Sequence, residues 1–282
     1  MSFQPILPTG GYVGWRFLER TLERQQAQHA SMPMAQRDEA RFREKIGSID
    51  NARTLTNDRQ LLRVALTAFG LADDLPNRAF IQRVLESPTS ERGSFVNRLA
   101  DRRYQAMAAA FGFGEAEGPR TREPDFADRV LALYRERSFE AAVGQQDDSM
   151  RMALALQRDL TEIAQRDASD EAHWLRVLGT PSLRKVFETA FNLPSAFGAQ
   201  DLDRQVEIMK RRSRAAFGDS SVSQFSDPAN REALIRRFFI GEQVSQVSTL
   251  GSGATALALL QAGRAPARGP MMPPPLPLTL PR

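Results

Sequence analysis

The sequence contains no cysteine and very little lysine or histidine. The absence of cysteine excludes disulfides, thiolate catalysis and most structural zinc sites. Lysine occurs only at positions 45, 185 and 210, so nearly all of the positive charge is arginine. The two histidines, His29 and His173, lie far apart in the chain. We interpret each as a surface or core-edge side chain with its hydrogen bonds satisfied, and not as a metal ligand or catalytic base.

Long apolar runs are also missing. No segment approaches the roughly 20 consecutive apolar residues that cross a bilayer. The N-terminus lacks the charged start and the continuous apolar stretch of a cleaved secretory signal. We therefore expect a protein without a membrane span, located in the cytoplasm or exported by a route that needs no cleaved signal.

The charge balance is basic but mixed. The formal net charge is +4 and the pI is about 9.9, yet 34 acidic residues are interspersed with the arginines. This pattern predicts a solvated mixed-charge surface, with nucleic-acid binding as a weaker alternative. Two arginine clusters lie on the polar faces of predicted helices: Arg98, Arg102 and Arg103, and Arg211, Arg212 and Arg214. Whether these clusters bind an anionic partner stays open.

The apolar residues follow a helical period. In the stretch 58–71, Leu61, Ala65 and Phe69 are spaced i, i+4, i+8, and Gly70 follows where a left-handed C-terminal cap suits glycine. The stretch 183–193 repeats this pattern, with Asn192 in the place of Gly70. Asparagine is the residue that best tolerates left-handed dihedrals after glycine. The sequence therefore predicts an all-α protein built from two similar helical units by internal duplication.

The predicted organisation has five parts. They are an N-terminal lead-in and first helix (1–36), a first helical unit (37–117), connecting helices (118–168), a second helical unit (169–248) and a proline-rich tail (249–282). Both termini are expected to be flexible, and the tail to be disordered apart from a short helix over 254–262. Within the first unit we predict Thr56 or Asn57 as the N-cap of the central helix, and one helix over 94–111.

The sequence offers no catalytic constellation. Neighbouring acidic residues at 73–74, 147–148 and 201/203 stand at predicted helix starts, where caps and helix dipoles explain them. No glycine-rich phosphate loop is present. We therefore predict a protein that is not an enzyme and that uses neither a cofactor nor a metal.

The N-terminal helix is rich in large apolar side chains. They are Tyr12, Trp15, Phe17, Leu18 and Leu22. Aromatic residues beside a Gly/Pro-rich terminus either dock on the protein itself or anchor a partner. Both interpretations stay open, and these five residues are the candidate partner-binding site.

Several spaced segments resemble a family of uncharacterised proteins encoded in flagellar gene clusters of alphaproteobacteria. The segments that carry the resemblance are 42–46, 58–71, 80–86, 94–97, 104–111, 186–193 and 228–239. Together they cover most of the chain between about 35 and 245. The family has no assigned mechanism, so the resemblance implies a flagellar context and contributes no catalytic residues.

This resemblance leads to one functional prediction and two alternatives. We predict a non-enzymatic, flagellum-associated accessory or structural protein that binds another flagellar protein during flagellar assembly or motility. It would be cytoplasmic or exported to the flagellum. The first alternative is a cytosolic regulator or assembly factor for a flagellar protein, and the second is a basic helical nucleic-acid-binding protein. The oligomeric state is open.

Overall fold

A computed structural model of the protein describes residues 3–262, with side chains through residue 245. These described residues form twelve α-helices, six short 3₁₀ helices and no β-strand, which confirms the all-α prediction. The α-helices are α1 (Gly11–Ala30), α2 (Pro33–Lys45), α3 (Ala52–Asn57), α4 (Arg59–Ala68), α5 (Arg78–Leu85), α6 (Arg102–Phe111), α7 (Phe126–Gly144), α8 (Asp148–Gln165), α9 (Asp170–Gly179), α10 (Pro181–Ala190), α11 (Leu202–Phe217) and α12 (Pro228–Ala262).

Acidic side chains cap several of the helices. The Asp58 carboxylate accepts hydrogen bonds from the backbone N–H groups of Gln60 (3.0 Å) and Leu61 (3.1 Å), so Asp58 is the N-cap of α4. The prediction of Thr56 or Asn57 for this role was wrong, because both belong to the separate short helix α3. Asp147 caps α8 in the same way, accepting from the Met150 N–H at 3.1 Å, as the acidic pair at 147–148 predicted.

Residues 94–111 do not form the single predicted helix. A 3₁₀ helix, Val96–Arg98, precedes an extended residue, and α6 begins only at Arg102. The Asn97 side-chain amide donates to the carbonyls of Thr89 (2.9 Å) and Glu91 (2.7 Å). This local hydrogen bonding competes with a helical backbone and holds the segment as a loop.

The helices enclose two hydrophobic cores. The N-terminal core contains buried residues between Phe42 and Tyr134. The C-terminal core contains Trp15 and Leu18 together with buried residues from Phe139 to Phe239. Helix α7 contributes to both, because Val130 and Tyr134 belong to the first core and Phe139 and Val143 to the second. Helix α1, predicted as a separate N-terminal part, therefore packs within the C-terminal half of the fold.

The residues Met1–Gly241 form one compact unit, and Glu242–Arg282 are divided from it as a second. Within the second unit the described residues are helical and continue α12 through Ala262. The helix predicted over 254–262 lies inside this segment. The predicted disordered tail from residue 263 onward lies outside the described residues.

Helices α4 and α10 end in the same backbone motif. The Leu71 N–H donates to the Leu66 carbonyl at 2.8 Å, and the Leu193 N–H donates to the Glu188 carbonyl at 2.9 Å. The residue before each leucine has a positive φ, 71° at Gly70 and 48° at Asn192. Both ends are Schellman motifs, which satisfy carbonyls that a helix terminus leaves unpaired.

The phenylalanines at these two helix ends also have matching surroundings. Phe69 and Phe191 are both buried. The Phe69 ring lies 6.3 Å from Phe111 with an interplanar angle of 55°, and the Phe191 ring lies 6.3 Å from Phe217 at 54°. Phe111 and Phe217 each end a helix before a left-handed glycine. These local matches pair α6 with α11, and the internal duplication itself stays a prediction.

Candidate interaction surface

The five predicted partner-binding residues do not share one surface. Trp15 and Leu18 are fully buried in the C-terminal core, and the Trp15 ring lies 6.2 Å from the Phe239 ring. The hypothesis that these two residues contact a partner needs correction, because their spacing along α1 turns both toward the core. Tyr12 and Leu22 are partly buried and pack against the same core. Phe17 is partly buried but belongs to neither core.

A carboxylate on α12 holds the start of α1. Glu232 accepts hydrogen bonds from the Tyr12 hydroxyl (2.6 Å) and the Trp15 indole Nε1 (3.4 Å), and it forms an ion pair with Arg16 at 3.2 Å. Burial, together with the hydrogen bond to Glu232, raises the pKa of Tyr12. The indole and phenol groups that could have served a partner are thus used within the fold.

The N-terminal lead-in is fixed along α1. Gln25, which is buried, accepts from the Ile6 N–H (2.8 Å) and donates to the Ile6 carbonyl (3.2 Å). The Gln146 amide donates to the Pro5 carbonyl at 2.9 Å. Docking, the interpretation that the sequence analysis weighed against partner binding, is therefore the observed arrangement for this segment.

A cleft of about 580 Å³ runs between α1, α7 and α8. Its wall on α8 extends from Leu154 to Gln165, which is about three helical turns. Carboxylates, guanidinium groups and amides line most of it, and Leu22 and Leu154 are its apolar members. The lining residues are Leu22, Gln26, Glu136, Glu140, Leu154, Gln157, Arg158, Thr161, Glu162, Gln165 and Arg231.

The ionisable side chains of the cleft are bound within the fold, most of them in ion pairs. Glu140 is buried and forms an ion pair with Arg158, which also pairs with Asp159 at 2.8 Å and Glu136 at 4.0 Å. Glu162 pairs with Arg166. Beside the cleft, burial and the neighbouring Arg158 lower the pKa of Arg137, whose ion pair with Asp159 spans 3.7 Å. The cleft is therefore a network of ion pairs that ties α7 to α8.

The two histidines are packed side chains. His173 is buried, and its Nε2 lies 3.0 Å from the Arg166 carbonyl oxygen. His29 makes edge contacts with the rings of Phe3 (5.1 Å) and Phe139 (6.0 Å), and burial lowers its pKa. Within the described residues, no group of three or more histidine, aspartate or glutamate side chains is arranged to hold a metal ion.

The arginine clusters differ in how their side chains are used. Arg103 binds the Asp101 carboxylate and donates to the Gly70 carbonyl, so it joins the start of α6 to the end of α4. Arg214 donates to the Ser220 hydroxyl at 3.3 Å. Arg211 and Arg212 are exposed on α11.

Among the residues through 262, no helix combines the length and apolarity required to cross a membrane.

Sequence reasoning missed Gln25, Glu232 and the Glu140–Arg158 pair. Each acts on a residue distant in the chain: Gln25 on Ile6, Glu232 on Tyr12, and Glu140 on a neighbouring helix. The only signal for Gln25 in the sequence was its helical spacing, which places this polar residue on the same face of α1 as Trp15, Leu18 and Leu22. Nothing local marks the other two.

Fold and cleft together define an all-helical protein whose polar side chains join helix to helix. The family described as Protein of unknown function (DUF1217) matches residues 68–230. This is more than half of the chain, so the protein belongs to that family. The match begins at the end of α4 and stops near the start of α12. Helix α1 lies outside it.

A solved structure shows the same architecture. It is the crystal structure of a protein from Agrobacterium tumefaciens, determined by a structural genomics consortium, with a TM-score of 0.69 and 26% sequence identity. The similarity covers 86% of this chain and 97% of that one. Among curated proteins no match was found.

Proposed function

We propose that this protein is a non-enzymatic, flagellum-associated accessory or structural protein that works by binding another flagellar protein. The flagellar context is supported by the sequence resemblance, whose segments extend from α2 to α12. The non-enzymatic role is supported by the cleft between α1, α7 and α8, where the buried carboxylate of Glu140 is held by the Arg158 guanidinium. A general base must be free to take a proton from a substrate, and a carboxylate bound in this way is committed to the fold.

Deleting the gene in the native host tests the proposal. We expect smaller swimming zones in soft agar, or fewer or shorter filaments by electron microscopy, and full recovery when the wild-type chain is restored. Normal swimming with normal filaments in the deletion strain would refute the flagellar role.

A complementation variant tests whether the cleft performs chemistry. Glu140→Gln keeps the size of the side chain and removes its charge. If the protein is not an enzyme, Glu140→Gln should restore motility wherever circular dichroism shows that it folds. Loss of motility in a folded, normally abundant Glu140→Gln protein would contradict the non-enzymatic role. Fractionation of cells and purified flagella then separates the structural role from the alternative of a cytosolic assembly factor.

A further inference from the structure

Helix α1 presents a second face, opposite the one that enters the core. Val13, Phe17, Arg20 and Arg24 follow the spacing i, i+4, i+7, i+11, which places them on one side of a helix. Val13 is 74% exposed, and Arg20 and Arg24 are exposed as well. Phe17 has no place in either core. We call these four residues the α1 outer face.

The positive charge of this face is not neutralised by the fold. Arg16, at its edge, is paired with Glu19 (2.5 Å) and Glu232 (3.2 Å). Arg20 donates only to the Arg16 carbonyl of its own helix, at 3.2 Å. Within the part of the chain that the structure describes, neither Arg20 nor Arg24 forms an ion pair with a carboxylate, although Glu19 and Glu23 directly precede them in the chain. Two apolar side chains thus stand next to two unpaired guanidinium groups.

The face is also held in place. Glu232 fixes the first turn of α1, and Gln25 binds the lead-in to its fourth turn. Trp15 and Leu18 anchor the opposite side of the helix. A surface that is ordered before binding loses little conformational entropy when a partner docks.

We propose that the α1 outer face is the docking surface for an acidic region of the partner protein. Phe17 and Val13 would enter an apolar pocket, and aspartate or glutamate side chains at its rim would pair with Arg20 and Arg24. This deepens the proposed function and rests on it. Charge complementarity of this kind sets specificity and the association rate, while a buried aromatic side chain supplies most of the affinity.

A protein partner fits this face better than a membrane or a nucleic acid. A membrane-bound helix inserts a broad apolar face, whereas the apolar face of α1 is already buried in the core. Nucleic-acid binding draws on many phosphate contacts, and this face offers two unpaired arginines. A short helical surface with anchors at i and i+4 matches the recognition of one protein by a groove of another.

Photo-crosslinking in the native host identifies the partner. A photoreactive amino acid replaces Val13, with Met34, 57% exposed on α2, as the matched control site. We expect one defined protein crosslink from position 13 and none from position 34. The linked peptide of the partner should carry clustered aspartate or glutamate. A basic linked peptide, a crosslink to a second copy of this chain, or no crosslink at position 13 would overturn the proposal.

Charge reversal then tests the two arginines. In Arg20→Glu/Arg24→Glu, the crosslink and the affinity for the purified partner should fall by about tenfold or more. Phe17→Ala should weaken binding by a similar factor. Arg211→Glu/Arg212→Glu, an equal charge change on exposed residues of α11, should leave binding unchanged. Equal weakening by both reversals would show a non-specific charge effect and would refute the assigned face.

Two further arms separate the other classes of ligand. Flotation with vesicles of phosphatidylcholine and phosphatidylserine, and titration with duplex DNA, should show no binding that depends on Arg20 and Arg24. Binding that these substitutions abolish would replace the protein partner with a membrane or a nucleic acid. A deletion phenotype that the outer-face variants do not reproduce refutes this inference alone. Normal motility after deletion refutes the proposed function.

Discussion

Gly70 and Asn192 occupy the same position in two Schellman motifs, one closing α4 and the other closing α10. Their φ angles are 71° and 48°, and Asn192 is the single non-glycine residue with a positive φ in the described structure. Each is followed by a leucine whose N–H reaches back to a carbonyl in the last turn of the helix. Both helix ends require a residue with a left-handed backbone conformation, and the sequence provides glycine at one end and asparagine at the other.

This relationship predicts the effect of alanine at both positions. Left-handed backbone costs a residue with a Cβ about 1–2 kcal/mol, so Gly70→Ala should lower the free energy of unfolding by about that amount. Asn192 already carries a Cβ, so Asn192→Ala should cost less and removes only the local hydrogen bonding by which asparagine tolerates this conformation. Gly93→Ala is the control, because φ at Gly93 is not in the left-handed range and nothing lies within 4 Å of an added Cβ. Urea denaturation measures all three. An equal loss in Gly93→Ala would contradict the explanation.

Alanine substitution should destabilise the protein strongly at Trp15 and only slightly at Phe17, although the two residues are two positions apart. Trp15→Ala removes a fully buried ring and should cost about 3–5 kcal/mol of stability. Phe17→Ala should change stability by only about 0.5 kcal/mol, because Phe17 lies outside both cores. Thermal unfolding of the two variants distinguishes them. A stable Trp15→Ala protein would show that the described packing of α1 is wrong.

Gln25 should contribute more to the stability of the protein than a polar side chain on a helix surface does. Gln25→Leu keeps the approximate size of the side chain but removes both hydrogen bonds to Ile6. We expect a loss of about 1–3 kcal/mol and faster hydrogen exchange at the Ile6 amide. Gln28→Leu, on an exposed position of the same helix, is the control. Unchanged exchange at Ile6 in Gln25→Leu would mean that the lead-in is held by other contacts.

His29 predicts a pH dependence of stability. Burial lowers the pKa of His29, so the unfolded chain binds a proton more readily than the folded one. Stability from this residue is therefore complete above the unfolded pKa of about 6.5 and is lost as the pH falls from there through the folded pKa. The wild type should lose stability between pH 7 and 5 relative to His29→Asn. A constant difference between the two proteins over this interval would refute the prediction.

Sequence reasoning located secondary structure well where the signals are local. The periodicity at Leu61, Ala65 and Phe69 found α4, and the acidic pair at 147–148 found the start of α8. It failed at residues 94–101, where hydrogen bonds from Asn97 to Thr89 and Glu91 override a helical pattern. For the candidate site it left docking and partner binding open, and the structure buries Trp15 in the core. The presence of large apolar residues in a helix does not by itself determine which of them are buried in the core.

The sequence by itself determined helices such as α4 and α8, the N-cap of α8 and the left-handed ends of α4 and α10. These follow from forces that act within a few residues: helical periodicity, side-chain capping and the cost of positive φ. The tertiary structure alone decided which core each helix joins. Helix α7 divides between two cores after Tyr134, and α1 packs against α12 through Glu232. The contact between Tyr12 and Glu232 joins residues more than two hundred positions apart, and no local pattern specifies such a pairing. By burying Trp15 and leaving Val13 exposed, that long-range packing also fixed which face of α1 lies at the surface.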